Sequence, residues 1–450
     1  MRQLFLATLL TLYSFVGALR AQQRTDHPNI VVILADDLGY GDVSFNGRSD
    51  YLTPNIDALA SNGVWFSSGY VTHPFCSPSR AGLLTGRYQQ RFGHENQPDD
   101  GGLPLGELLL PQILKPAGYF CGAIGKWHLG SGLGYRPLQR GFDEFYGFLG
   151  GSSVYYNATV FRGDTPVTES EYLTDALTRE AVSFIDRHAT KPFLLYLAYN
   201  APHDPYDVPP KTYLDRVANI SDPDRRTYGA MVTALDDGVG KVLQALRDNN
   251  LTNETLIFFL SDNGAPLNSF TSNLPLRGWK ADTLEGGIRV PFAIQWSGHL
   301  PAGLVYGEPV SSLDIVATTA IAAGVSLPSD RPYDGLDLIP YLTGQQGMPN
   351  RGLFWRWFGL GATGPRGSVD TIYAARQGSL KLVRDRALGT GDPQLYDLDS
   401  DIGETQDLSI TRPADLEVLK ALYSQWETQL IAPLWAPPKD RKSTRLNSSH

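Results

Sequence analysis

The sequence predicts an α/β protein: a mostly parallel central sheet with helices on both faces, then a smaller C-terminal α+β subdomain containing an antiparallel sheet. Three observations carry that expectation. Short β-branched and aromatic runs alternate with longer stretches of helical periodicity, the rhythm of strand–helix–strand units. Runs such as "NIVVILADD" (29–37) are apolar at every position until they end in charge, which is how strands buried on both faces read. Past about residue 345 the alternation gives way to strand, turn-rich return and helix.

Taken in order, "NIVVILADD" is a strand that stops at two carboxylates. "TPNIDALASNG" (53–63) opens a helix at Thr53, with Pro54 just inside where a missing N–H is harmless, and closes it at Gly63. "VWFSSGYV" (64–71) is a strand leading into a cysteine loop. "LLPQILKPAG" (109–118) is a helix broken at Pro116, and "YFCGAIGKWH" (119–128) is the strand behind it. "PFLLYLAYNAPH" (192–203) and "TLIFFLSDNG" (255–264) are strands with polar ends. Between them "TYGAMVTALDDGVGKVLQALRDNN" is an amphipathic helix. "VPFAIQW" (290–296) is a further strand and "SSLDIVATTAIAAG" (311–324) a further helix. In the C-terminal part, "YAARQGSLKLVRD" (373–385) and "QLYDLDSDIGETQDLS" give a strand and its return, and "PADLEVLKALYSQWETQLI" a closing helix.

The first 21 residues have an early Arg2, an uncharged apolar run from Leu4 to Val16, and small residues at Gly17, Ala18 and Ala21. That is the layout of a cleaved signal peptide, and the run is shorter than the ~20 apolar residues that span a bilayer. The expected organisation is a leader at 1–21, a catalytic domain at 26–345, a C-terminal subdomain at 346–436 and a polar tail at 437–450 that departs from the rest. The protein is expected to be exported, periplasmic or secreted, without stable membrane insertion. A net charge of −9 argues against nucleic acid as a partner, although a small anion in a locally positive pocket stays compatible with it.

In an open α/β sheet, ligands bind beyond the carboxyl ends of the strands. Here those ends carry Asp36 and Asp37, the loop from Cys76 to Arg80, Lys126 with His128, His203, and Asp262 with Asn263; Lys280 precedes another strand. Asp36, Asp37, Asp262 and Asn263 are hard oxygen donors, and three carboxylates repel one another unless a cation lies between them. That favours Ca2+ or Mg2+ over zinc. The plainer alternative is a helix cap at Asp36-Asp37 and a turn at Asp262-Asn263. Arg80, Lys126, His128, His203 and Lys280 supply the cations and titratable donors of a pocket for a compact oxyanion. The other six histidines have packing roles or none.

"CSPSRAGLLTGR" (76–87) resembles the signature of the type I sulfatases, in which the cysteine of a Cys-x-Pro-Ser-Arg core is oxidised to formylglycine. "ILADDLGYGD", "GKWHLG", "PHDPY", "SDNGA" and "GWKADTLEGGIRVP" are similar to further motifs of that family, in family order, over roughly residues 28 to 295. The resemblance implies an alkaline-phosphatase-like fold and a formylglycine-generating enzyme as a maturation partner. It also implies that Cys76 becomes an aldehyde hydrate. One hydroxyl of that hydrate attacks the sulfur of a sulfate ester and expels the alcohol. The second loses its proton, and collapse to the aldehyde releases sulfate.

Carried over by residue, the resemblance makes Asp36, Asp37, Cys76, Asp262 and Asn263 the calcium site. Arg80 and Lys126 orient the diol, His128 acts as base, and His203 and Lys280 bind sulfate, with His203 the proton donor to the leaving oxygen. Ser77 stands where the family commonly has threonine. Cys121 is expected to be a buried free thiol, and Arg87 to support its loop. The aromatic "GFDEFYGFLGGSSVYY" and "LFWRWFG" suit either packing or sugar stacking, so a sulfated carbohydrate is the expected substrate. The alternatives are a small phenolic sulfate, a phosphatase or phosphonate hydrolase of the same superfamily, or a glycan-binding protein without activity. Loops 88–104, 151–172 and 355–370 are expected to set specificity, with His94, Glu95 and Asn96 lining the substrate side.

Overall fold

The computed structural model describes residues 27–96, 101–358, 371–389 and 391–435. The expected leader and the polar tail lie outside them, as do residues 97–100 and 359–370 of two expected specificity loops.

Among the described residues the first strands are β1 (Asn29–Ala35), β2 (Val64–Phe66), β3 (Gly69–Tyr70), β4 (Phe120–Lys126), β5 (Glu144–Phe148), β6 (Ala158–Arg162) and β7 (Thr165–Glu169). Then follow β8 (Phe193–Ala198), β9 (Thr255–Ser261), β10 (Phe292–Gln295), β11 (Leu304–Tyr306) and β12 (Val310–Ser311). The C-terminal strands are β13 (Gly352–Trp357), β14 (Ile372–Gln377), β15 (Leu380–Arg384) and β16 (Gln394–Asp397). The longer helices are α1 (Pro54–Ser61), α2 (Cys76–Thr85), α3 (Leu173–His188), α4 (Pro223–Asp248), α5 (Asp314–Ala322) and α6 (Pro413–Glu427).

A ten-stranded sheet runs in the order β11-β2-β10-β9-β1-β8-β4-β5-β6-β7. Its centre, β9-β1-β8-β4-β5, is parallel throughout. Every residue of β1 is buried, and successive side chains serve opposite faces. Val31 and Ile33 join the core beneath α1, α3 and α4, whereas Ile30, Val32 and Leu34 join the core beneath α2 and α5. That two-sided burial is why the run is continuously apolar. α4 starts at Pro223 behind Asp222, whose carboxylate accepts the Arg225 N–H at 2.7 Å. It lies so close to β8 that a Cβ on Gly238 would come within 2.6 Å of the Tyr199 hydroxyl.

Three elements differ from the sequence reading. "VWFSSGYV" is two short strands, since Gly69 presses against the Phe292 ring and β3 leaves the main sheet to pair with β12. β10 runs antiparallel between β9 and β2, which brings its leading segment, Lys280 included, to the sheet edge where β9 ends. Residues 151–172, expected as a loop, contain the hairpin β6–β7, turned at Gly163 with φ of 64°. Strand β5 and helix α3 complete this part of the fold.

The C-terminal strands form the antiparallel sheet β13-β14-β15-β16. Ala375 and Leu382 face α6, and Trp355, Ala374 and Val383 share a cluster with Tyr70, Leu284 and Ile288 of the large domain. The four-stranded sheet therefore shares an apolar cluster with β3 and with the segment that leads into β10.

Candidate active site

The parallel centre of the sheet delivers its polar residues to one edge. Asp36-Asp37 follow β1, His128 follows β4, His203 follows β8, and Asp262-Asn263 follow β9. Lys126 is the last residue of β4. The first residue of α2 is Cys76, so the positive end of a ten-residue helix opens beside it.

The side chains converge. Lys126 Nζ donates to both Asp36 oxygens at 2.9 and 2.7 Å. Arg80 donates to Asp262 at 2.9 Å and to the Lys126 carbonyl at 3.3 Å. Lys280 donates to Asp37 at 2.8 Å, and the Asn263 amide donates to the other Asp37 oxygen at 2.6 Å. His203 Nε2 stands 3.5 Å from Asp37. Asp36, Cys76, Arg80, Lys126, Asp262 and Asn263 are at most 2% exposed. His203 and Lys280 have side chains 11% and 13% exposed, so they are the members of the cluster that reach toward solvent.

Electrostatically the cluster is balanced: Asp36, Asp37 and Asp262 face Arg80, Lys126 and Lys280. Carboxylate repulsion therefore does not by itself require an ion here, because side-chain cations relieve it. Whether the residues suit an ion rests on their remaining acceptors. Asn263 Oδ1 is buried without a hydrogen-bond partner. Asp36, Asp37 and His203 bring ligand atoms within 4.8 Å of one another. A hard cation fits the carboxylates and the Asn263 oxygen of that set.

Burial among Lys126, Arg80, Lys280 and His203 holds the His128 imidazole well below its ordinary range, so the ring is neutral. Neither ring nitrogen of His128 has a hydrogen-bond partner. Its backbone has φ of 58°, that of Asp37 has φ of 64°, and Gly151 packs against the ring so closely that a Cβ would lie 2.7 Å from it. At His203 burial lowers proton affinity, but Asp36, Asp37 and Asp204 outweigh it and raise the net value. Burial raises the Cys76 thiol against the opposing pull of Lys126 and Lys280. Burial likewise opposes charge on Lys280, and Asp37 reverses it, leaving the ammonium protonated.

Cys76 and Cys121 are both free and buried. Arg87 pairs with Glu107 at 2.6 Å, as a loop support would. His94, Glu95 and Asn96 do not line an open surface. All three are at most 1% exposed. His94 Nε2 lies 2.9 Å from Ser77 Oγ, Glu95 pairs with Arg356, and Asn96 accepts from the Trp357 indole at 2.9 Å. The reason is charge: Arg356, fully buried in an aromatic strand, needs a carboxylate. An arginine inside "LFWRWF" was the available signal. Sequence reasoning also missed the aromatic support behind the pocket. Lys280 Nζ sits 5.1 Å above the Phe75 ring, Phe75 stacks on Trp357 at 5.7 Å, and Arg386 covers Trp357 at 5.7 Å.

Comparison with known proteins gives this geometry its context. Residues 28–325 match the family model described as sulfatase. The N-acetylgalactosamine-6-sulfatase of Mus musculus is 39% identical over 382 residues, spanning 77% of this chain and 72% of that protein. An uncharacterized sulfatase of Escherichia coli K12, YdeN, is 34% identical over 394 residues, spanning 74% of this chain and 70% of that one. The crystal structure of Ps i-CgsB in complex with k-i-k-neocarrahexaose superposes with a TM-score of 0.86 at 36% identity, covering 94% of this chain and 98% of that one.

Proposed function

The chain belongs to the sulfatase family and is a sulfuric ester hydrolase, and from that premise we propose that it acts on a sulfated carbohydrate, with Cys76 matured to formylglycine and Ca2+ held by Asp36, Asp37, Asp262 and Asn263. The observation that carries the reading is the convergence of Cys76, the cations Arg80, Lys126 and Lys280, and two histidines at the positive end of α2. The carbohydrate part draws on relatives named for N-acetylgalactosamine 6-sulfate and crystallised with a neocarrahexaose. An exported location accords with the leader-like first 21 residues. No helix among the described residues is long and apolar enough to cross a membrane.

In this proposal the aldehyde hydrate at position 76 supplies a nucleophilic hydroxyl, and a second hydroxyl whose deprotonation lets sulfate leave. Held by Asp36, Asp37, Asp262 and Asn263, the cation would supply positive charge to the sulfate group and favour ionisation of the nucleophilic hydroxyl. The chain's own residues do the rest. Arg80 and Lys126 are fixed by Asp262 and Asp36, so they orient the nucleophile without reorganising. The neutral His128 is available as a base, with both ring nitrogens free of competing bonds. On the solvent side, Lys280 binds sulfate, and His203 gives its Nε2 proton to the departing ester oxygen. The phosphatase alternative predicts phosphate release, and the phosphonate-hydrolase alternative predicts release of the alcohol from a phosphonate monoester.

The test is the mass of the Cys76 peptide from protein made in its natural host, followed by release of inorganic sulfate from a panel of sugar sulfates. A mass matching replacement of the thiol by an aldehyde, with sulfate released and phosphate esters untouched, is expected. An unmodified thiol would overturn the mechanism.

A further inference from the structure

His203 has a neighbour that none of the roles above uses. The backbone of the segment is fixed, because the His203 N–H donates to the Asn200 carbonyl at 2.8 Å and the Tyr155 hydroxyl lies 2.9 Å from both the Asn200 and His203 carbonyls. A fixed backbone does not fix the imidazole, whose terminal torsion is broad and roughly two-fold. Rotation about it would exchange Nδ1 and Nε2 for ring carbons and point no donor at the pocket. The ring is held at Nδ1, which lies 2.9 Å from the Asp204 carboxylate and 2.6 Å from the Asp204 carbonyl. The opposite nitrogen then faces Asp37 at 3.5 Å, inside the site.

We propose that Asp204 is a positioning residue for His203: its carboxylate accepts the Nδ1 proton and keeps Nε2 aimed at the oxygen of the leaving alcohol. The inference rests on the reading of His203 as proton donor. In the step it serves, the S–O bond to the alcohol breaks with its electron pair left on oxygen. The Nε2 proton passes to that oxygen, while the Nδ1 proton stays on the ring, bonded to Asp204. Exposure separates this carboxylate from the structural ones. The Asp204 side chain is 67% exposed, so the fold does not depend on it.

A residue acting through a proton donor matters in proportion to how much the leaving group needs a proton. An alkoxide from a sugar needs one, and a nitrophenolate departs without much help. The experiment therefore compares the mature, calcium-loaded wild type with Asp204→Asn and Asp204→Glu on galactose 6-sulfate and on 4-nitrocatechol sulfate. Ring-nitrogen NMR of His203 is recorded on the same proteins. Asp204→Asn should lower kcat on the sugar ester about 10- to 100-fold, the range for lost outer-shell partners, and lower it on the aryl ester by much less. Asp204→Glu should recover part of the loss. The Nδ1–H resonance of the wild type should be shifted strongly downfield and lose that shift in Asp204→Asn. Equal losses on both esters, or an unchanged resonance, would overturn the positioning role while leaving the proton-donor reading standing. A wild type that hydrolyses neither ester would instead sink the proton-donor reading, and the resonance would then decide alone whether Asp204 holds the ring.

Discussion

Two buried clusters of ions lie along one short stretch of chain, and they are built to opposite ends. Lys280 points into the strand-end pocket, where it meets Asp37. Glu285, on the same segment, points the other way. It takes the Lys381 ammonium at 2.8 Å, and Lys381 takes Glu404 at 2.8 Å. In this second cluster Glu285, Lys381 and Glu404 are all 0% exposed. Glu285 also accepts from the Tyr70 hydroxyl at 2.6 Å and from Arg289 at 3.1 Å, and its own N–H donates to Glu404 at 2.7 Å. Every charge is consumed, and the cluster latches the C-terminal sheet to the large domain. In the first cluster both His128 nitrogens and the Asn263 oxygen remain unpartnered, and two members reach toward solvent. Burial and charge are common to both. Spare hydrogen-bonding capacity beside part-exposed residues marks the one proposed to do chemistry.

The contrast breaks if the clusters respond alike to loss of one member. Replacing Cys76 by Ala should abolish turnover, by at least about 10⁴-fold as for other lost nucleophiles, with urea unfolding shifted by no more than about 1 kcal/mol. Turnover by that variant within tenfold of wild type would end the mechanism. Lys381→Met should do the reverse. It removes the cation that Glu285 and Glu404 share and leaves Glu285 with Arg289 as its cation at hydrogen-bonding distance, a loss of about 3–5 kcal/mol in unfolding free energy, while kcat of the folded fraction stays within about threefold. A Lys381→Met protein as stable as wild type would show that the latch is ornamental.

A smaller effect sharpens the pocket side. Asn263→Ala removes the unpartnered oxygen and should weaken Ca2+ affinity about 10- to 100-fold, read by calorimetric titration of chelator-treated protein. Wild type should then gain thermal stability with added Ca2+, about 2.7 kcal/mol at a hundredfold excess over Kd. Equal affinity in both proteins would move the ion, if one binds, away from Asn263.

How much of this the sequence disclosed follows from the same physics. The pocket was legible because its residues end continuous apolar strands, and a parallel sheet sends all those ends to one edge. "NIVVILADD" and "TLIFFLSDNG" announce Asp36, Asp37, Asp262 and Asn263 in that way. Lys280 was read only as preceding another strand. The structural cause, an antiparallel β10 that returns its leading segment to that edge, has no local signature. The latch was not legible, because its members stand 96 and 119 residues apart and each reads alone as a surface charge. One cue existed: Lys381 alternates with Val383 on a strand face that turns out to be core. His94, Glu95 and Asn96 were misread as lining because a polar triplet after a catalytic loop looks exposed until its partners Ser77, Arg356 and Trp357 are known.

The smallest expected effect concerns pH, and it separates the two carboxylates of the latch. Burial would raise Glu285, but Lys381, Arg289 and Arg376 outweigh it and pull the group down to about 2. Glu404 is raised to about 7, chiefly by burial and with the Glu285 charge adding to it, against the pull of Lys381. One ammonium therefore holds one ionised carboxylate and one that keeps its proton near neutrality. For Glu404 the folded value lies above the unfolded one of about 4.3. Its contribution to stability is complete below that value and is lost as pH rises through 7. For Glu285 the sign is opposite: its contribution is complete above about 4.3 and is lost as pH falls toward 2. Unfolding free energy measured from about pH 4.5 to 8.5 should thus decline between about 4.3 and 7, with a slope of at most about 1.4 kcal/mol per pH unit from this group, and level off above 7. Glu404→Gln keeps a neutral hydrogen-bonding side chain in place and should flatten that decline while leaving the acid-side loss intact. If the decline persists unchanged in Glu404→Gln, Glu404 is ionised throughout, and the latch holds its three charges by a balance other than a shared proton.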